Sequence, residues 1–383
     1  MRATATSFAG VELGLYLAGR GLSATAVGAV VAAGLAGAAV AAILVTFFGD
    51  RRGRRRALVD VALLGVVGAV LLAFAGSPAG FAAAAFIGMI NGMGRDRGAA
   101  MIVEQAAIPS VAGEGGRTRA LAVYNVAQDA GHAVGALLAG VPALLAARTH
   151  LDTVAAHRTG LGLYAGLLLV TAVLYLRLSG RIEEGRAAGV LRVSPETRGP
   201  LMRLVLLFGL DSFAGGFLTT ALLSYFFFER FDASAGMIAV LFAAARVMNA
   251  VSHLGAAWLA KRIGLVNTMV FTHLPSSLLL ATVAYVPSFP VAAALFLLRE
   301  GLVEMDVPTR QSFVLAIVRP EERTFASGIT NLVRLSMWAV APLLAGPMMD
   351  GVSLGLPLAA GAAMKIAYDL LLWRSFRRVR APA

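Results

Sequence analysis

Apolar runs of roughly twenty residues recur along the chain between short polar stretches rich in Gly, Pro and charge, and each run is long enough to cross the ~30 Å hydrocarbon core of a bilayer as a helix. They fall at 3–19, 24–48, 57–76, 79–106, 118–146 and 159–177, and again at 201–228, 234–260, 265–286, 290–314, 323–349 and 353–374. The pattern predicts an all-α membrane protein with twelve transmembrane helices. A longer polar segment containing Ser179 to Arg186 divides it into an N-terminal six-helix bundle (1–177), a central loop (178–200) and a C-terminal six-helix bundle with a short basic tail (201–383).

Composition agrees, with 58% hydrophobic and 14% charged residues and a mean hydropathy of +0.79, against about 25% charged in soluble domains. The net charge of +12 does not point to nucleic acid, because the basic residues lie in short inter-helix loops rather than on one face. Of 33 Lys and Arg, 22 fall in one alternating set of loops and termini and 4 in the other. By the positive-inside rule both termini are then cytoplasmic, and the expected location is a bacterial inner membrane. The absence of cysteine excludes disulfides and thiolate chemistry. The five histidines show no ligand spacing, no phosphate-binding loop is present, and the run from Gly92 to Gly98 misses the dinucleotide fingerprint by one position. Neither a cofactor nor a metal nor enzymatic activity is expected.

The most charged stretch, Gly49 to Arg56, packs six charges into eight residues between two apolar runs, so it must lie in water. Asp50, Arg51, Gly53, Arg54 and Arg55 match, position by position, the pattern G-x-x-x-D-[RK]-x-G-[RK]-[RK], with Thr46 in place of the first glycine. That loop resembles the signature between the second and third helices of the major facilitator superfamily of transporters. The chain also repeats itself. Ser7 to Gly10 recurs as Ser212 to Gly215, while Gln105, Arg117, Thr118, Ala120 and Asn125 recur 206 residues later as Gln311, Arg323, Thr324, Ala326 and Asn331. The segment Leu259 to Gly264 stands where a second, decayed copy of the Asp50 loop belongs. Compared with its repeat, helix 1 is nearly two turns short, which suggests a start upstream of Met1 or part-way through the bilayer.

The resemblance implies two parallel six-helix repeats, a cavity lined by helices 1, 4, 7 and 10, and a cytoplasmic gate at the Asp50 loop assisted by Arg117 and Arg323. Intramembrane charge concentrates on those cavity helices and their immediate neighbours. Glu12, Arg95, Asp96, Asp129, His132, Asp211, Arg299 and Glu300 are the expected substrate and proton residues, since an ionisable group at bilayer depth is a functional candidate. Glu104 and the pair Asp306 and Arg310 are assigned to the inner gate, and Lys365 with Asp369 to a local ion pair one turn apart. Glu12 and Asp211 have no cation near them in sequence, which marks them as the proton carriers. On helix 5, Gly131, Gly135 and Gly140 resemble the glycine-rich signature of drug and proton antiporters, but Ala136 and Ala139 depart from it, and close helix packing explains the small residues as well. The expected function is secondary active transport of a small organic solute by alternating access, as proton-coupled efflux by a monomer. The alternatives are uptake or uniport, or a non-transporting sensor or lipid-handling protein on the same fold.

Overall fold

The structure, a computed structural model, describes residues 1–95, 98–112, 117–149, 151–183, 194–319 and 322–377. Within these the side chains of 47–52, 109–112, 117–119, 121–122, 254, 257, 308, 311–312, 315–317 and 323–325 lie outside the description.

No strand occurs among the described residues; the elements are helices. They are α1 (Arg2–Gly19), α2 (Ala24–Arg52), α3 (Arg54–Phe74), α4 (Pro78–Gly88), α5 (Ala99–Ala112), α6 (Arg117–Leu138), α7 (Val141–Thr149), α8 (Thr153–Leu176), α9 (Pro195–Gly216), α10 (Thr220–Phe231), α11 (Ala235–Ile263), α12 (Leu265–Val283), α13 (Phe289–Val303), α14 (Asp306–Ile317), α15 (Arg323–Val340), α16 (Pro342–Gly351) and α17 (Leu356–Phe376). Among the described residues nine spans are long and apolar enough to cross a membrane. Twelve continuous helices are not what is seen. Five expected helices are each interrupted, between α4 and α5, α6 and α7, α9 and α10, α13 and α14, and α15 and α16. Gly and Pro cluster at most of these points: Gly92, Gly94 and Gly98 at the first, Gly140 and Pro142 at the second, Gly215 and Gly216 at the third, Pro342 at the fifth. Such breaks survive in a membrane only where protein groups satisfy the freed backbone.

Two compact units result. The first comprises Met1–Ala187, Thr219–Ala243 and Pro342–Asp350; the second comprises Ala188–Leu218, Ala244–Ala341 and Gly351–Ala383. Their boundary thus runs through α11 and through the α9/α10 and α15/α16 breaks.

In the first unit α1 is the hub, packed against α6, α8 and α10, while α2 lies on α4 and α5, and α3 on α4 and α8. Backbones approach closely: a Cβ added at Gly135 would strike the Thr4 carbonyl, and one at Gly14 the Ala221 carbonyl. Close packing is therefore what the helix-5 glycines do. On its outer side α3 exposes Leu63, Val67, Val70 and Phe74 at three- and four-residue spacing, an unbroken apolar stripe suited to acyl chains. In the second unit α9 packs on α14, α15 and α17, and α12 on α13, α14 and α17. The core there includes Phe208, Met269, Phe313, Tyr368 and Leu372.

Gly53 turns the chain between α2 and α3 at φ +94, and Gly264 turns it between α11 and α12 at φ +85. Both angles favour glycine. The decayed loop copy has kept the one residue its backbone needs.

Candidate functional site

Buried polar groups fall into separate clusters. In the first unit Glu12, on α1, has no exposure, and its Oε1 lies 2.6 Å from Nδ1 of His157 on α8. Oε2 of Glu12 has no hydrogen-bond partner among the described residues. A buried carboxylate with one titratable neighbour and one idle oxygen can take and release a proton without breaking a lattice of ion pairs. His157 lay just outside the expected helix at 159–177. The helix starts earlier because Asp152 caps it, its side chain accepting from the Ala155 N–H at 2.6 Å. The dipeptide Asp152-Thr153 was the readable signal.

Glu104, assigned to the inner gate, pairs with Arg2 and accepts hydroxyl hydrogen bonds from Tyr175 (2.5 Å) and Tyr124 (2.6 Å). At the signature loop the Glu183 carboxylate accepts from the N–H of Arg54 (2.8 Å) and Arg55 (3.0 Å), satisfying the first turn of α3. The Arg54 guanidinium donates to the Ile182 carbonyl and that of Arg55 to Leu178. These two arginines tie α3 to the chain leaving α8. The side chains of Asp50, Arg51, Arg117 and Arg323, and all of Asp96, lie outside the described residues.

Between α4 and α5 the chain unwinds. The Gly92 carbonyl accepts from the Ala221 N–H (2.9 Å), the Met93 carbonyl from the Thr220 hydroxyl (2.7 Å), and the Asn91 amide donates to the Arg95 carbonyl (2.6 Å). Gly94 sits at φ +64. The first turn of α10 thereby satisfies the carbonyls that the break exposes. Nearby, Asp350 at the end of α16 accepts from the N–H of Ala24 (3.0 Å) and Thr25 (2.8 Å), capping α2. Arg95 and Asp129 are half-buried and His132 is buried.

The second unit holds a denser network. Asp211 on α9 accepts from Lys365 Nζ (2.7 Å) on α17 and from Arg310 (3.1 Å) on α14. Arg310 also meets Asp306 at 2.9 Å, the pair read from spacing. His273 on α12 places Nδ1 3.0 Å from both oxygens of Asp369. The expected Lys365–Asp369 pair is thus corrected: Lys365 bonds Asp211, and Asp369 takes the histidine. Equally, the premise that Asp211 has no cation near it fails, because two arrive from helices about 100 and 150 residues away. Sequence proximity cannot show partners on other helices. In a further cluster Arg299 pairs with Glu300, which accepts from the Asn249 amide at 2.7 Å.

A bundle of apolar helices, broken at several points, with the α4/α5 break satisfied by α10, and carrying buried ionisable clusters, fits a multi-pass membrane transport protein. The chain belongs to the Major Facilitator Superfamily, whose profile matches residues 1–342. It is a transporter of that family and not an enzyme. An uncharacterized membrane protein of Saccharomyces cerevisiae, YJR124C, is 23% identical over 96% of this chain and 90% of its own length. Among solved structures, the nucleoside transporter NupG has a TM-score of 0.75 at 14% identity, covering 98% of each chain. The inward-open xylose transporter XylE from E. coli has a TM-score of 0.70 at 16% identity, covering 99% of this chain and 96% of that one. A bacterial homolog of the human lysosomal transporter Spinster has a TM-score of 0.73 at 14% identity, covering 100% and 97%. At these identities the likeness is one of fold.

Proposed function

We propose that the chain moves a small organic solute across a bacterial inner membrane by alternating access, coupled to protons, with export as the direction. The seventeen helical segments of the described residues then make twelve passes in two halves, 1–177 and 201–383, joined by the loop 178–200, with both termini cytoplasmic and the monomer as the working unit. Arg95, Asp96, Asp129, His132, Arg299 and Glu300 are the proposed solute-side polar groups. The Asp50 loop, Glu104, Arg117, Asp306, Arg310 and Arg323 belong to the inner gate.

One observation carries the coupling: the buried Glu12–His157 pair, with a carboxylate oxygen that has no partner among the described residues. Glu12, not Asp211, is the proposed carrier, since Asp211 is committed to two cations. One proton crossing 100 mV supplies roughly 2.3 kcal/mol, about fortyfold in a solute gradient. Uptake is the second reading, and a D-xylose-proton symporter shares the fold.

The test is a pH-gradient assay in proteoliposomes with nucleosides, pentoses and organic anions as probes. Wild type should dissipate the gradient when its solute is added, from the side that gives the direction. Glu12→Gln and His157→Gln should retain counterflow but lose the pH-driven component. Flux indifferent to pH in all three removes the coupling.

A further inference from the structure

His273 lies on α12, and Lys365 and Asp369 lie on α17. The structure buries all three, at 2%, 6% and 0% exposure. Lys365 and Asp369 stand one turn apart on α17 and hold the imidazole of His273 between them. Nδ1 lies 3.0 Å from both Asp369 oxygens, and Nε2 lies 3.5 Å from Lys365 Nζ. The Tyr368 ring closes the site edge-on at 6.0 Å.

Donor and acceptor chemistry settles the tautomer. A carboxylate only accepts and an ammonium only donates, so Nδ1 carries the hydrogen and Nε2 presents a lone pair to Lys365. A second proton on Nε2 would set an N–H against that ammonium. Loading therefore requires Lys365 to leave Nε2, and its existing bond to Asp211 at 2.7 Å still holds the ammonium when it does. The charge count favours a cation. Asp211, Asp306, Asp369 and Glu304 at the end of α13 set four negative charges against Lys365, Arg310 and the less deeply placed Arg334 on α15. On the remaining packed helix, α13, Arg299 and Glu300 are paired with each other.

We propose that His273 is a second proton-binding site: an N–H bond forms at Nε2 with a proton delivered by hydronium from the aqueous phase, which leaves as water, and the Lys365 ammonium gives up Nε2 while keeping its bond to Asp211. The consequence reaches α14 through Arg310 and α15 through Arg334, whose Nε donates to Ser212, the neighbour of Asp211, at 3.0 Å. This goes beyond the Glu12–His157 reading and rests on it only for placing the site in a carrier.

A transport-free test separates the two. With Trp258→Phe and Trp373→Phe, the remaining Trp338 lies under the Arg334 guanidinium, 4.9 Å from ring to Cζ, and reports on the network. Titrated from about pH 5 to 9 in nanodiscs, its emission should show a one-proton transition that is lost in His273→Gln and kept in Glu12→Gln. A transition unchanged in His273→Gln overturns the proposal, and so does no transition in the parent. Should His273→Gln not yield folded protein, replacing His132, His150, His157 and His253 by Gln leaves His273 as the lone histidine. Its side-chain 15N spectrum should pass from the Nδ1–H tautomer to the doubly protonated ring over that range. A ring neutral throughout rejects the site.

Discussion

Each half of the chain buries a carboxylate on its first helix against its last helix, and the two solutions differ. In the N-terminal half, among the described residues, Glu12 bonds His157 alone, and its other oxygen has no partner. In the C-terminal half Asp211 meets Lys365 and Arg310, and Arg310 meets Asp306 as well. The repeat preserves position but not charge: Glu104 and Arg310 are 206 residues apart, the repeat shift, and each is bridged by the first helix of its own half, Arg2 in one and Asp211 in the other. A weak acid next to a weak base is suited to exchanging protons. Fixed cations around a carboxylate are suited to holding helices in register.

The sharpest way to break this contrast is to neutralise each carboxylate. Asp211→Asn strands two buried cations and should cost about 3 to 5 kcal/mol, seen as a steep fall in the thermal midpoint of the detergent-solubilised protein. Glu12→Gln, which also removes the need to bury a charge, should lie within about 1 kcal/mol of wild type. Equal losses would abolish the distinction.

Next comes backbone closeness, on which the first unit depends. Gly14→Val drives a side chain into the Ala221 carbonyl and should destabilise by about 1 to 3 kcal/mol in the same melt. A smaller effect is expected for Asp350→Ala, which uncaps α2 at a cost of about 1 kcal/mol. Because the chain has no cysteine, a Thr25→Cys reporter would read it cleanly: maleimide labelling should quicken in the uncapped variant, and an unchanged rate would show that the cap holds nothing shut.

The mildest expectation concerns an ionic latch of the second unit outside the membrane spans. The Glu322 carboxyl accepts hydrogen bonds from the Thr197 hydroxyl and the Ser194 N–H, which push its pKa down to about 2. A depressed folded-state value stabilises above the ordinary 4.5 and is lost as pH falls from there toward 2. Acid titration of stability should therefore be slightly flatter over that interval in Glu322→Gln than in wild type.

Much of this was legible without coordinates. The apolar periodicity marked the helices, the Asp50 loop with its glycine marked the family, and the spacing of Asp306 and Arg310 gave a pair that the structure keeps. These are local facts, fixed by neighbours within a turn or two and by the cost of dissolving charge in lipid. The break between α4 and α5 was missed, because a hydropathy window averages away the Gly and Asn residues that lie there.

What the sequence by itself determined is that this chain spans a membrane many times, repeats itself, and carries more buried charge than packing alone requires. Tertiary structure alone decided which charges meet: that Lys365 reaches Asp211 instead of Asp369, that His157 completes Glu12, and that α10 satisfies the opened carbonyls of Gly92 and Met93. The reason is physical. An ion in low dielectric is governed by whatever opposite charge lies within a few ångströms, and on packed helices that neighbour is set by crossing geometry, which no linear spacing encodes.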